Sequence, residues 1–259
     1  MQTVLFHSTI FGPIHSRRLG SSLGINLMPN DGKICSFDCL YCEAGYNAQG
    51  PGTSGLPARE EVRKQLEAKL RQMKEQGQPL DVITFSGNGE PTLHHDFAGV
   101  IDDTIALRDL YFPDVKISVL TNATRICRPA VAAALRKVDN NIMKLDSAIA
   151  STVEAIDRPN PGYDLEKTIE CLASFGKDGI VQTMMCRGEH DGAVIDNTVD
   201  AEVEALIEAY RRIMPREIML YTIDRPTPEV NLHRVSKEEL EAIADRITAA
   251  TGIPVQVSA

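Results

Sequence analysis

Strand-like and helix-like segments take turns along almost the whole chain, and this alternation limits the possible folds more than any other feature of the sequence. Apolar runs at residues 22–28, 81–85, 115–120, 142–145, 180–185 and 217–221 read as buried strands, with a last apolar piece at 253–257. Helical periodicity covers 58–76, 96–107, 129–137, 165–175, 199–213 and 237–250. Repeated βα units predict a parallel sheet covered by helices. We read the class as α/β, a partial parallel (β/α)6 barrel forming one domain over residues 1–259, since no low-complexity linker or internal repeat divides the chain. A doubly wound sheet satisfies the same pattern, and periodicity does not separate the two. Either one gathers functional groups at the C-terminal ends of its strands.

Charge narrows the function classes. The formal net charge of -9 argues against a broad phosphate-binding surface, so nucleic acid is disfavoured as a partner except through a local basic patch. No apolar run approaches the roughly twenty residues of a membrane helix, and residues 1–5 lack the pattern of a secretory signal, which predicts a soluble cytoplasmic protein. In that compartment the six cysteines are expected as thiols or metal ligands rather than disulfides.

Three of those cysteines, Cys35, Cys39 and Cys42, fall within eight residues at spacing C-x3-C-x2-C, in a loop between the first strand and the first long helix. A closed zinc site needs four ligands, and no second cysteine knuckle exists, because Cys127, Cys171 and Cys186 are scattered. A 4Fe-4S cluster is normally held by four thiolates, so three leave one iron open to a ligand. Three buried structural cysteines are disfavoured by the polar neighbours Lys33, Ser36, Asp38 and Glu43. A non-catalytic iron-sulfur or zinc-binding protein is the reading from a different class.

With Tyr41 directly before the last cysteine, the loop resembles that of the radical S-adenosylmethionine superfamily. The resemblance implies a 4Fe-4S cluster on Cys35, Cys39 and Cys42, with S-adenosyl-L-methionine as the second cofactor. It further implies an oxidoreductase-type cleavage to methionine and a 5′-deoxyadenosyl radical that acts on an unidentified substrate. An electron donor such as flavodoxin or ferredoxin would accompany it. Tyr41 would lie near the adenine, as would backbone near residues 221–223. The turn after the second strand, Gly87-Asn88-Gly89-Glu90, is similar to the family's GGE-type motif, which implies that these four residues hold the methionine end. Asn122, at the end of LTNAT, would meet the ribose.

Other strand ends carry weaker candidates. Period 2 places Ser118, Leu120 and Asn122 on one face. Lys144 and Asp146, followed by Ser147, call for either an internal ion pair or a ligand, and Asp146 is taken as a cofactor contact. His94 or His95 is either a solvated turn histidine or a proton donor; Arg187, Glu189, His190, Asp224 and Arg225 are candidates for selecting substrate, against solvated loop charges; Cys186 is either an inert or a reactive thiol. Arg17 and Arg18 are read as solvated or structural arginines, with pairing to a carboxylate or phosphate as the alternative. The segment 12–26, the cysteine loop and SGNGEPTLH together resemble a branch grouped with wyosine-forming tRNA enzymes, which implies tRNA base modification as an alternative activity.

Overall fold

The computed structural model describes residues 4–16 and 19–259. Arg17 and Arg18 lie outside the described residues. Strands β1 (Ile10–Ser16), β2 (Gly20–Ile25), β3 (Val82–Phe85), β4 (Lys116–Thr121), β5 (Asn140–Lys144), β6 (Gly179–His190), β7 (Ala193–Asp196), β8 (Glu217–Thr222), β9 (Leu232–Arg234) and β10 (Val255–Ser258) alternate with helices. The helices are α1 (Arg59–Glu75), α2 (Phe97–Tyr111), α3 (Pro129–Leu135), α4 (Ala150–Ile156), α5 (Leu165–Ala173), α6 (Asp200–Ile213) and α7 (Lys237–Thr251).

The strand order is β1-β2-β3-β4-β5-β6-β8-β10, parallel from β2 onward. That order never reverses. A doubly wound sheet reverses at its switch point so that helices cover both faces, whereas successive right-handed crossovers in one direction put the helices on one face and curl the sheet toward a barrel. The path ends at β10 without pairing back to β1, so the barrel is partial.

The two faces differ in chemistry because strand side chains alternate. Leu23, Ile83, Phe85, Ile117, Val119, Val181 and Leu220 pack in the large core that also takes the helices' apolar stripes. Helix α1 contributes Val62, Leu66, Leu70 and Met73 at helical spacing, each burial worth about 1.5–3 kcal/mol. Glu60 and Glu61 open that helix and Lys74 closes it, as its dipole favours. Toward the concave face, Ser22 bonds Thr84 (2.8 Å) and Asn140 donates to Ser118 (3.1 Å), while Ile142, Ile180 and Met219 form a small apolar plug with Leu120.

Some elements lie outside the sequence reading. β1 pairs antiparallel with β2 and covers that sheet edge, and the first parallel strand is Gly20–Ile25 rather than 22–28. α4 separates β5 from α5, held by buried Glu202, which accepts from Ser147 (2.6 Å) and Thr152 (2.5 Å). β6 runs on past the barrel, where β7 and β9 flank it antiparallel. The expectation of six unpaired cysteines fails at two: Cys127 and Cys171 form a disulfide between the loop before α3 and α5. A compartment argument takes no account of two thiols that packing brings together, with Cα atoms here 5.5 Å apart.

Candidate active site

Cys35, Cys39 and Cys42 remain free thiols on one loop at the C-terminal end of β2. Three backbone bridges anchor that loop: Lys33 with Pro51, Ile34 with Gly89, and Phe37 with Pro159. Asn47 fixes its course, donating to the carbonyls of Phe37 (3.1 Å) and Cys35 (3.4 Å). The loop is more buried than its polar residues imply. Cys39, Tyr41 and Phe37 belong to an apolar cluster with Met184 and Cys186, and Cys35 and Cys42 pack against it.

Lys33 explains the discrepancy. It is 2% exposed and donates to the carbonyl of Gly45 (2.7 Å) and to Asp38 (3.4 Å). Burial alone would pull its ammonium down, but Cys42, Cys35, Cys39 and Asp38 together hold it above the ordinary lysine value. Burial, then the charge of Glu90, pushes the Cys35 thiol up to about 11, and burial drives Cys39 well above its usual range. As bare thiols these groups stay protonated near neutrality.

The donor set suits an iron-sulfur cluster better than a single ion. Among the described residues no three His, Cys, Asp or Glu side chains converge on one metal-ion position. Three thiolates on three different irons need no common centre, and an all-thiolate set is the one such clusters take.

The turn after β3 packs directly on this loop. Gly87 and Gly89 have φ of 133° and 136°, and a Cβ on Gly89 would lie 1.8 Å from the carbonyl oxygen of Ile34. Glycine is required there because the cysteine loop itself approaches. The Asn88 side chain turns away: its amide accepts from the Phe6 N–H and donates to the carbonyls of Phe6 and Pro29. Glu90, 2% exposed, accepts from Thr92 N (3.0 Å), Thr92 Oγ1 (2.5 Å) and Thr121 Oγ1 (2.7 Å) on Oε1, and from Asn122 N (2.7 Å) on Oε2. Oε2 thus keeps one lone pair unclaimed by protein. Burial raises the Glu90 carboxyl above its usual value despite these donors.

Asn122 links turn and loop. Its amide donates to Ser36 Oγ (2.9 Å) and lies 3.5 Å from Cys35 Sγ. On the far side of the loop, Lys144 forms the internal ion pair, with Asp146 (2.9 Å) and also with Asp157 (3.3 Å), a residue that sequence reasoning passed over. Lys144 Nζ lies 3.7 Å from Cys39 Sγ and donates to Tyr41 Oη, whose hydroxyl in turn bonds Asp146. Burial, then the neighbouring Asp146, pushes Asp157 up to about 8. Tyr41 also lines a cavity of about 70 Å³ with Tyr221, Thr222 and Ile223.

The remaining candidates are occupied elsewhere. His94 is held neutral: Nε2 donates to the Pro57 carbonyl (2.8 Å) and Nδ1 accepts from the Asp96 N–H (3.2 Å), which leaves no free proton site, and His95 stacks on its ring. Arg187 pairs with Glu239, His190 with Glu229 (2.6 Å) and Arg225 with Glu43 (2.7 Å). Glu189 lies on the β6 overhang, its backbone N–H donating to the Asn231 carbonyl (3.3 Å), and Asp224 lines the same cavity as Tyr41. Cys186 is fully buried, its thiol driven far up by burial. No helix of the described residues is long and apolar enough to cross a membrane.

A family model described as the radical SAM superfamily matches residues 30–208, more than half of the chain. Among curated relatives, a "GTPase Obg" of Brachyspira hyodysenteriae is 28% identical over 254 residues, 96% of this chain. This chain spans only 35% of that protein. A "UPF0026 protein" of Helicobacter pylori strain J99 is 28% identical over 235 residues, covering 89% of this chain and 71% of its own length. Among solved structures, a radical SAM methyltransferase from Sphaerobacter thermophilus superposes with a TM-score of 0.66 at 18% identity, over 92% of this chain and 65% of that one. That likeness concerns the fold.

Proposed function

The chain belongs to the radical SAM superfamily, and from that premise we propose that it is an enzyme whose Cys35, Cys39 and Cys42 hold a 4Fe-4S cluster beside an S-adenosylmethionine site. One observation carries the reading: these three thiols stay free on a single braced loop, packed against the 87–90 turn, while two other cysteines pair with each other. When bound, the cluster and S-adenosylmethionine would supply a 5′-deoxyadenosyl radical by one-electron reductive cleavage, the electron coming from a donor such as flavodoxin or ferredoxin.

The chain's own groups divide the supporting work. As cluster ligands the three thiols would lose their protons, and buried Lys33 and the largely buried Lys144, 3.7 Å from Cys39 Sγ, would put two cations beside the resulting negative charge. The Asn122 side-chain amide, 3.5 Å from Cys35 Sγ, is a contact of the kind that would raise a cluster's potential. Glu90, through the free lone pair of Oε2, would accept the ammonium of S-adenosylmethionine, and Gly87 and Gly89 let the turn that carries it pack on the Asn26 side chain and the Ile34 carbonyl. The Asn88 side chain supports the turn from behind. Tyr41 and residues 221–223, which line one small cavity, are the groups we assign to the adenine, and Asn122 and Asp146 are those we assign to the ribose.

The test is anaerobic reconstitution with iron and sulfide, then dithionite and S-adenosylmethionine. Expected are the visible absorption of the cluster and slow release of 5′-deoxyadenosine; a cluster that forms yet releases none overturns the reading. Glu90→Gln keeps a side-chain acceptor for Thr92 and Thr121 but loses the charge. S-adenosylmethionine is then expected to bind at least ~10-fold more weakly, about 1.4 kcal/mol, with the absorption unchanged. Calorimetric titration reads this directly, and unchanged affinity removes Glu90 from the site.

A further inference from the structure

A second cavity, of about 340 Å³, opens beside Ser36 of the cysteine loop, within the size range of small-molecule sites. Ser36 and Thr124 form its inner wall, joined by a 2.7 Å hydrogen bond, and Ser36 also accepts from Asn122, the residue in contact with Cys35. Asn160, whose N–H donates to the Ser36 carbonyl (2.9 Å), and Tyr163, set edge-on against Phe37, continue that wall. The rim carries Arg128 and Lys167.

Neither cation is in an ion pair with a described carboxylate. Most other arginines are paired: Arg59 with Asp103, Arg211 with Glu208, Arg212 with Glu166, Arg246 with Asp200 and Glu204. The single acid on the wall, Asp164, uses Oδ1 to cap α5 through the Lys167 N–H (3.0 Å). Arg125, close by, is lowered from its ordinary value by partial burial and then by the like charge of Arg128, with Glu90 acting in the opposite direction. The Cys127–Cys171 disulfide joins the two elements that bear the rim cations, next to Arg128 on one side and one turn beyond Lys167 on the other, so their spacing is fixed. On a chain of net charge -9, two cations without a carboxylate partner beside a hydroxyl-lined hollow form a local positive surface suited to an anion.

We propose that this cavity binds the phosphate or carboxylate group of a small-molecule substrate through Arg128, Lys167, Ser36 and Thr124, one residue away from the first cysteine of the loop. As an assignment of substrate class, it rests on the radical reading above. The reconstituted protein is titrated calorimetrically with inorganic phosphate and, separately, with malonate at low salt. At least one of the two is expected to bind saturably in the low millimolar range or tighter. The double substitution R128Q/K167Q is expected to weaken that binding at least ~10-fold without moving the thermal midpoint, whereas Arg63→Gln on α1 leaves it unchanged. Binding that survives R128Q/K167Q, or uptake of tRNA but of neither small anion, overturns the assignment. Release of 5′-deoxyadenosine is read separately. A protein that releases it but takes up no anion overturns this inference alone; one that binds the anion but releases none overturns the radical reading and leaves an anion site.

Discussion

Alanine at any one of Cys35, Cys39 or Cys42 is expected to remove the visible absorption of the reconstituted protein and to reduce S-adenosylmethionine cleavage to background. The chain has no replacement thiol. Cys127 and Cys171 are joined to each other, and Cys186 is held by β6 in an apolar setting that keeps it protonated. Loss of one ligand would leave two thiolates for a proposed cluster in which three already leave one iron open. Cys171→Ser is the matched control: it breaks the disulfide on the helical side and is expected to retain full absorption and iron content. Full absorption in a loop variant, or equal loss in the control, would contradict the ligand assignment.

Lys144→Met is expected to cost about 3–5 kcal/mol of stability, because it leaves two carboxylates in a site sized for three charged groups. The side chains of Lys144, Asp146 and Asp157 are 10%, 0% and 2% exposed. Asp146 has other donors, the Met184 N–H (2.9 Å) and the Tyr41 hydroxyl, whereas Asp157, already held near 8 by burial and by Asp146, takes up a proton most easily when the ammonium is lost. Lys144→Met combined with Asp157→Asn should therefore cost clearly less than the sum of the single changes. Urea unfolding measures all three variants. A Lys144→Met loss within ~0.5 kcal/mol would mean that the ion-pair network carries no weight.

The sheet and its helices are legible in the sequence because one face of every parallel strand and one stripe of every long helix is apolar, and such periods survive in a single chain. The elements missed lack that signature. α4 is seven residues long, and β7 and β9 have four and three. Strand order was not legible either, since the choice between barrel and doubly wound sheet depends on which strands are neighbours. At the site, C-x3-C-x2-C and the glycine turn stand out by spacing. Asp157 and Lys33 do not, because their importance comes from burial against residues distant in the chain or beneath the loop. The same holds for Arg187, His190 and Arg225, which look free in sequence and prove to be engaged with carboxylates. The Cys127–Cys171 disulfide spans 44 residues and no local pattern announces it.

The bridges from Lys33, Ile34 and Phe37 to three separate parts of the chain have a consequence for assembly. A loop tied at these points has already given up most of its conformational entropy before any iron arrives, so loading the cluster need not organise the polypeptide. Small zinc domains gain their fold from the metal; in this chain a cluster on the proposed ligands would instead be fitted to a loop already braced by the barrel. Apoprotein made in air should therefore have the same far-ultraviolet circular dichroism as the loaded form, and cluster insertion should be limited by iron and sulfide delivery rather than by refolding.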